Sequence, residues 1–200
     1  MAKIITIGRE FGSGGREIGK RLSDKLGIAY YDNEIITEIA KRTKLAEGYV
    51  EHVMENSPSN LIPITIGRTF YMGVDPVMEQ NNAIYREQSL LVKELADKSD
   101  CVIVGRSADY ILREKHPLRL FIYADLESRM ARCRKRAPEQ EHFNDKELKR
   151  HILDVDKKRG KYYQFFTGQN WGERLNYDLC INTSNADIEE VVDAIAKLAK

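Results

Sequence analysis

A chain of 200 residues with 42 % hydrophobic residues can bury a core without disulfide or metal staples, and nothing in its composition calls for a second domain. Its 32 Lys plus Arg offset 31 Asp plus Glu, a balance that argues against a protein built mainly to coat nucleic acid. No apolar stretch approaches the ~20 residues of a membrane span and none suits a signal peptide, and Cys101, Cys133 and Cys180 lack metal or CxxC spacing, so the cytoplasm is the expected location.

Residues 3–7 form a β-branched apolar run, ended by a glycine-rich turn from Gly8 to Gly15. Ile18, Leu22 and Leu26 then recur at spacings of four, which predicts a helix stopped by Gly27. Residues 28–31 read as a second strand ending in Asp32, and Ile35, Ile36 and Ile39 mark a second helix. This βαβ alternation with near-continuously apolar strands predicts an α/β fold in three layers, a parallel sheet covered on both faces. Pro58, Pro63, Gly67, Gly73 and Pro76 break residues 45–82 into short helices and loops inserted between core units. The pattern then predicts a helix over 82–99, a strand over 101–105, a short helix over 107–113 and a strand over 119–124. A helix over 126–136, a loop over 137–144, a helix over 145–164, a strand over 178–182 and a closing helix through Ile188, Val192, Ile195 and Leu198 complete the chain. Two of the cysteines, Cys101 and Cys180, fall in these strands, where a thiol acts as a small buried hydrophobe.

The informative segment is Ile5-Thr-Ile-Gly-Arg-Glu-Phe-Gly-Ser-Gly-Gly-Arg-Glu-Ile, in which a strand meets a Gly-Ser-Gly-Gly turn and a helix starts at once. Glycines let several backbone N–H groups converge and let a phosphate approach without meeting a Cβ, and the helix start adds free N–H groups and partial positive charge. A tight βα turn with no ligand is the plainer alternative; its place after the first strand of a βαβ unit favours the anion site.

With that loop, the segments 13–36 (SGGREIGKRLSDKLGIAYYDNEII), 101–112 (CVIVGRSADYIL) and 118–136 (LRLFIYADLESRMARCRKR) make the chain resemble the cytidylate kinase-like family of the nucleoside monophosphate kinase group. The resemblance spans nearly the whole chain. It implies a single P-loop NTPase domain over 1–200 with a five-stranded parallel sheet, a core of about 1–44, 83–136 and 178–200, an acceptor-binding insert at about 45–82 and a lid region at about 129–165. It also implies ATP with Mg2+, a nucleotide donor and a small phosphate acceptor, CMP or dCMP foremost, with an oligomer left open. Three departures stand out. The loop position for lysine is Gly15, that for a metal-binding Ser/Thr is Glu17, and Val104 precedes Gly105-Arg106 where an aspartate is common. Either Arg16 or Lys20 supplies the missing cation, with Glu17 or Ser13 helping to hold magnesium, or the protein binds nucleotide without turnover as a regulatory module. A kinase of another small phosphorylated or hydroxylated metabolite is a further alternative.

The resemblance also distributes roles. Gly12, Ser13, Gly14, Gly15, Arg16 and Glu17 would hold the donor phosphates. Asp32 would contact the acceptor, with a helix N-cap as its alternative. Arg106 and, more weakly, Asp109 would hold the acceptor, with Arg68 or Arg86 gripping its phosphate. Arg129, Arg132 and Arg136 recur at helical spacing, and Arg150, Lys157, Lys158 and Arg159 form a second basic set. Two such sets facing a polyphosphate would spread its charge, with Arg132 and Arg159 foremost. Asp156 with Arg159 matches part of an acceptor-reading Asp-x-x-Arg motif, although Ile152 stands where a further arginine is expected. A nucleic-acid surface over 129–159 is disfavoured by the net charge. The aromatic segment 161–178 is expected to pack rather than stack bases, and the histidines carry no ligand spacing. Leu61, Ile62, Ile64, Phe70 and Tyr71 are candidates for a pocket or a subunit contact.

Overall fold

The computed structural model describes residues 3–55, 76–136 and 143–199. Arg68, the apolar set between Leu61 and Tyr71, His142 and most of the expected loop at 137–144 lie outside them. Five strands, β1 (Ile4–Arg9), β2 (Ala29–Tyr31), β3 (Cys101–Val104), β4 (Leu118–Tyr123) and β5 (Leu179–Asn182), pair in parallel in the order β2-β3-β1-β4-β5. The helices are α1 (Gly15–Leu26), α2 (Glu34–Thr43), α3 (Glu47–Glu55), α4 (Pro76–Lys98), α5 (Ala108–Ile111), α6 (Leu126–Arg136), α7 (Asp145–Thr167) and α8 (Ile188–Leu198). No helix among the described residues is long and apolar enough to cross a membrane.

Alternation along the strands splits the core in two. Ile5, Ile7, Val102, Val104, Leu120 and Ile122 face α1 and α8, meeting Ile18, Leu22, Val192 and Ile195. Ile4, Cys101 and Ile103 face the other way, onto Ile35, Ile39, Ile84, Leu91 and Leu112. Both faces of the central strands are therefore buried, which is why they read as continuous apolar runs.

The expected five-stranded parallel sheet is the one found, with three local differences. β1 runs on through Gly8 and Arg9, which pair with Phe121 and Ile122 of β4. α4 starts at Pro76 rather than about 82, because proline at the first helical position opens a helix instead of breaking it. α7 continues through its aromatic run to Thr167, where Gly168 ends it at φ 71°. Cys180 is exposed rather than buried, since β5 is an edge strand with one face open.

Candidate functional site

The strands deliver their carboxyl ends to one edge, where the chain leaves β1 on one side and β3 on the other, the place where open α/β sheets bind ligands. At that edge residues Glu10–Gly14 turn into α1, with positive φ at Gly12 and Gly14 (77° and 88°). The loop is pinned from beneath. Glu10 N–H donates to Ile122 O at 3.0 Å, Phe11 N–H to Asp156 Oδ1 at 2.8 Å, and Thr183 Oγ1 to Ser13 O at 2.7 Å. Ile18 N–H reaches back to Gly14 O at 3.0 Å, so the N–H groups of Gly15, Arg16 and Glu17 precede the helical ladder, and no side chain caps this end. An uncapped helix start of this kind receives anions.

Arg129 on α6 organises the loop. It is 5 % exposed; its Nε donates to Phe11 O at 2.7 Å, one Nη to Glu10 Oε2 at 3.1 Å and the other to the Asp156 carboxylate. The structure places Asp156 beneath the loop, engaged by Arg129 and Phe11. Burial pushes the Glu10 carboxyl above its ordinary range, opposed by the Ala124 N–H and by Arg129.

Above the loop lies an open cleft of about 360 Å³, lined by Arg9, Arg16, Arg132, Arg136 and Arg159 together with Phe11, Phe143 and His151. Arg132 donates through one Nη to Thr183 O, while its other Nη is buried without a hydrogen-bond partner among the described residues. Arg159 donates to Arg9 O at 3.5 Å and lies over the Phe11 ring. The remaining predicted loop residues are otherwise engaged. Ser13 is fully buried and its hydroxyl donates to Glu10 O at 2.8 Å. Glu17 pairs with Arg21 at 2.7 Å and with Arg136. Lys20 pairs with Asp24 at 2.7 Å and sits over the Tyr30 ring, one turn along α1 from the cleft. Among the described residues no cluster of three His, Cys, Asp or Glu side chains could hold a metal.

A second, narrower cavity of about 50 Å³ opens behind the loop between β1, β3 and α7, lined by Arg9, Arg106, Asp109, Arg159, Tyr162, Tyr163, Trp171 and Tyr177. Gly105, Arg106 and Ser107 follow one another at φ 74°, 60° and 50°, a run of left-handed backbone that non-glycine residues adopt only when their surroundings enforce it. Gln88 enforces it by donating to Arg106 O at 2.9 Å. Asp109 is buried, accepts the Tyr163 hydroxyl at 2.6 Å and has its pKa raised by burial. The expected packing role of the aromatic segment is met by Trp171 and Tyr177 against Phe121, and by Phe166 stacked on Tyr85, while Tyr162 and Tyr163 also line this cavity.

Asp32 lines a separate surface hollow with Arg16, Lys20 and Tyr30. Its carboxylate pairs with Arg16 Nε at 2.5 Å and with Arg9 at 3.7 Å. The N-cap of α2 is Asn33, so the capping alternative for Asp32 is not the one adopted. Arg86 is exposed on α4. Arg9 and Thr183 escaped the sequence reading, as did the place of Arg129 beneath the loop. Arg9 closes an apolar strand and Thr183 follows one, with no spacing to mark either. Arg129 was visible only as one cation in a basic helix, and the half-buried carboxylates it serves lie 119 and 27 residues away.

The family model of the cytidylate kinase-like family matches residues 4–185. The cytidylate kinase of Archaeoglobus fulgidus is 26 % identical over 198 residues, covering 96 % of this chain and 92 % of that protein. The cytidylate kinase of Methanopyrus kandleri is 25 % identical over 200 residues, covering 95 % and 89 %. Among solved structures, an uncharacterized protein from Eubacterium ventriosum superposes with a TM-score of 0.72 at 26 % identity over 98 % of both chains. A shikimate kinase from Bacteroides thetaiotaomicron gives 0.58 at 17 % identity over 99 % and 98 %, a likeness of fold. The chain belongs to the cytidylate kinase-like family.

Proposed function

We propose that this protein transfers the terminal phosphoryl group of ATP to a nucleoside monophosphate, with CMP or dCMP the first acceptor to test. The observation that carries the reading is the uncapped start of α1 set between two arginine-lined spaces, one above the loop and one behind it. ATP suits the first. The N–H groups at the start of α1 would take its phosphates, and the buried Nη of Arg132 that lacks a hydrogen-bond partner among the described residues would gain one. The acceptor would enter the second, with Arg106 on its phosphate and the aromatic wall of Tyr162 and Trp171 around its base. Both named cytidylate kinases support this choice of acceptor.

Magnesium does not suit the residues expected to hold it, since Ser13 and Glu17 are both engaged within the protein. The chain's own contribution is charge and position: guanidiniums spread the negative charge that develops during transfer. The same reading takes residues 45–82 as the acceptor insert and 129–165 as the lid region. The test is ADP release from ATP-Mg with a panel of monophosphates, alongside calorimetric binding of each. Release with CMP well above that with the other monophosphates supports the proposal, and none with any acceptor sinks it. The absence of the loop lysine and hydroxyl favours a second reading, a nucleotide-binding regulatory protein, which binding without turnover would support.

A further inference from the structure

The position where related loops carry lysine is Gly15, and the reason for a glycine there lies across the loop. A Cβ on Gly15 would sit 2.5 Å from Arg9 Cβ and 3.1 Å from Arg9 Cγ. On the opposite flank, a Cβ on Gly105 would sit 1.8 Å from Arg9 Nη1 and 2.8 Å from Arg9 Cζ. Real side chains do not approach so closely, so these two glycines form a slot through which Arg9 turns from the end of β1 towards β3. Its side chain is only 13 % exposed, yet it lines both the cleft above the loop and the cavity behind it.

The charges around the slot are unbalanced. Arg9 has Asp32 at 3.7 Å, but Asp32 is held closer by Arg16, at 2.5 Å. Burial and then the guanidinium of Arg159 press the Arg9 pKa down, with Arg106 and Arg16 adding to the pressure and Asp32 opposing it. A guanidinium kept out of water among others of its kind is costly until an anion arrives to share it.

We propose that Arg9 is the phosphoryl-binding cation of this loop, supplying from the strand side the charge that Gly15 cannot, and that it holds the group passing between the two cavities. The second half of this statement rests on the kinase reading; the first, binding of a phosphate-class anion at Arg9, does not. In the transfer, the bond from the terminal phosphorus of ATP to its bridging oxygen breaks and the electron pair stays on the ADP oxygen. A bond from an acceptor phosphate oxygen forms in its place. With a second phosphate pKa near 6, that oxygen is largely deprotonated at neutral pH, so no proton passes through Arg9.

The experiment titrates inorganic tripolyphosphate by calorimetry into the wild type, Arg9→Met and Arg16→Met at one pH and salt concentration. Loss of a charge-assisted fork to phosphate is expected to weaken binding by about tenfold or more in Arg9→Met, against about threefold or less in Arg16→Met. Arg9→Met should melt no lower than the wild type, because it removes a buried charge while Asp32 keeps Arg16. Tripolyphosphate binding that is undetectable in the wild type, unchanged in Arg9→Met, or lost more in Arg16→Met would overturn the proposal. If Arg9→Met does not fold, Arg9→Lys takes its place; it keeps the charge but loses the fork, and affinity equal to wild type would overturn the assignment. ADP release measured on the same samples separates the two ideas. Anion binding through Arg9 without turnover in the wild type removes the kinase reading alone, and turnover undiminished in Arg9→Met removes the role of Arg9 in transfer alone.

Discussion

Arg129 shows how much one side chain carries beneath the loop. It serves the Phe11 carbonyl and the half-buried carboxylates of Glu10 and Asp156 at once. Removing it leaves two carboxylates without their counter-charge, and breaking a buried pair from one side typically costs about 3–5 kcal/mol. Arg129→Met is expected to lose stability on that scale in urea unfolding. Arg129→Lys should recover little of it, because a single ammonium cannot replace a planar fork serving three acceptors. Asp109 makes a prediction of a different kind. Burial raises its folded pKa above the ordinary value of 3.8, so the native state binds this proton more tightly than the unfolded chain does. Its contribution is fully present below that value and is lost as pH rises through the folded pKa. Comparing urea midpoints between about pH 3 and about pH 8 should therefore show the wild type falling relative to Asp109→Asn as pH rises; a constant difference would refute this. At this scale the loop glycines were legible, because φ > 0 and close approach leave glycine little competition. Arg9 and the true place of Asp156 were not, because what decides them is a neighbour more than 90 residues away, Gly105 for the first and Phe11 for the second.

Among the elements, α7 begins with the most explicit local signal in the chain. Asn144 accepts from the Glu147 N–H at 2.9 Å while the Glu147 carboxylate accepts from the Asn144 N–H at 3.0 Å, a complete capping box. Asn144→Ala is expected to cost about 1 kcal/mol, read as a lower thermal midpoint with the loop chemistry intact. Because α7 carries Asp156 and Arg159 to the site, fraying at this end should be felt first at Phe143 and His151, which stack beside the cap. Periodicity located this helix and α1, α2 and α8 to within a few residues, since each has an apolar face of its own. It misjudged α4 because Pro76 reads equally as a breaker or a first residue, and it cut β1 short because pairing with β4, invisible locally, extends the strand through Gly8.

For the whole molecule, the fold class could be read from the alternation of strands and helices, and the strand order could not. β1 sits at the centre with β3 and β4 on its flanks, and both partners come from beyond residue 100. The anchors of the phosphate loop come later still: Ile122, then Asp156, then Thr183. This topology has a consequence for synthesis. β1 is apolar on both faces, and after leaving the ribosome it has to wait for some 90 further residues before either neighbour exists. At about 5–20 residues per second the wait is several seconds or more. Such delayed, long-range pairing is slow to form and leaves a sticky edge exposed meanwhile. The nascent chain should therefore be most dependent on chaperones during its first half, and competent to bind phosphate only after β5 has docked and Thr183 has closed on the loop.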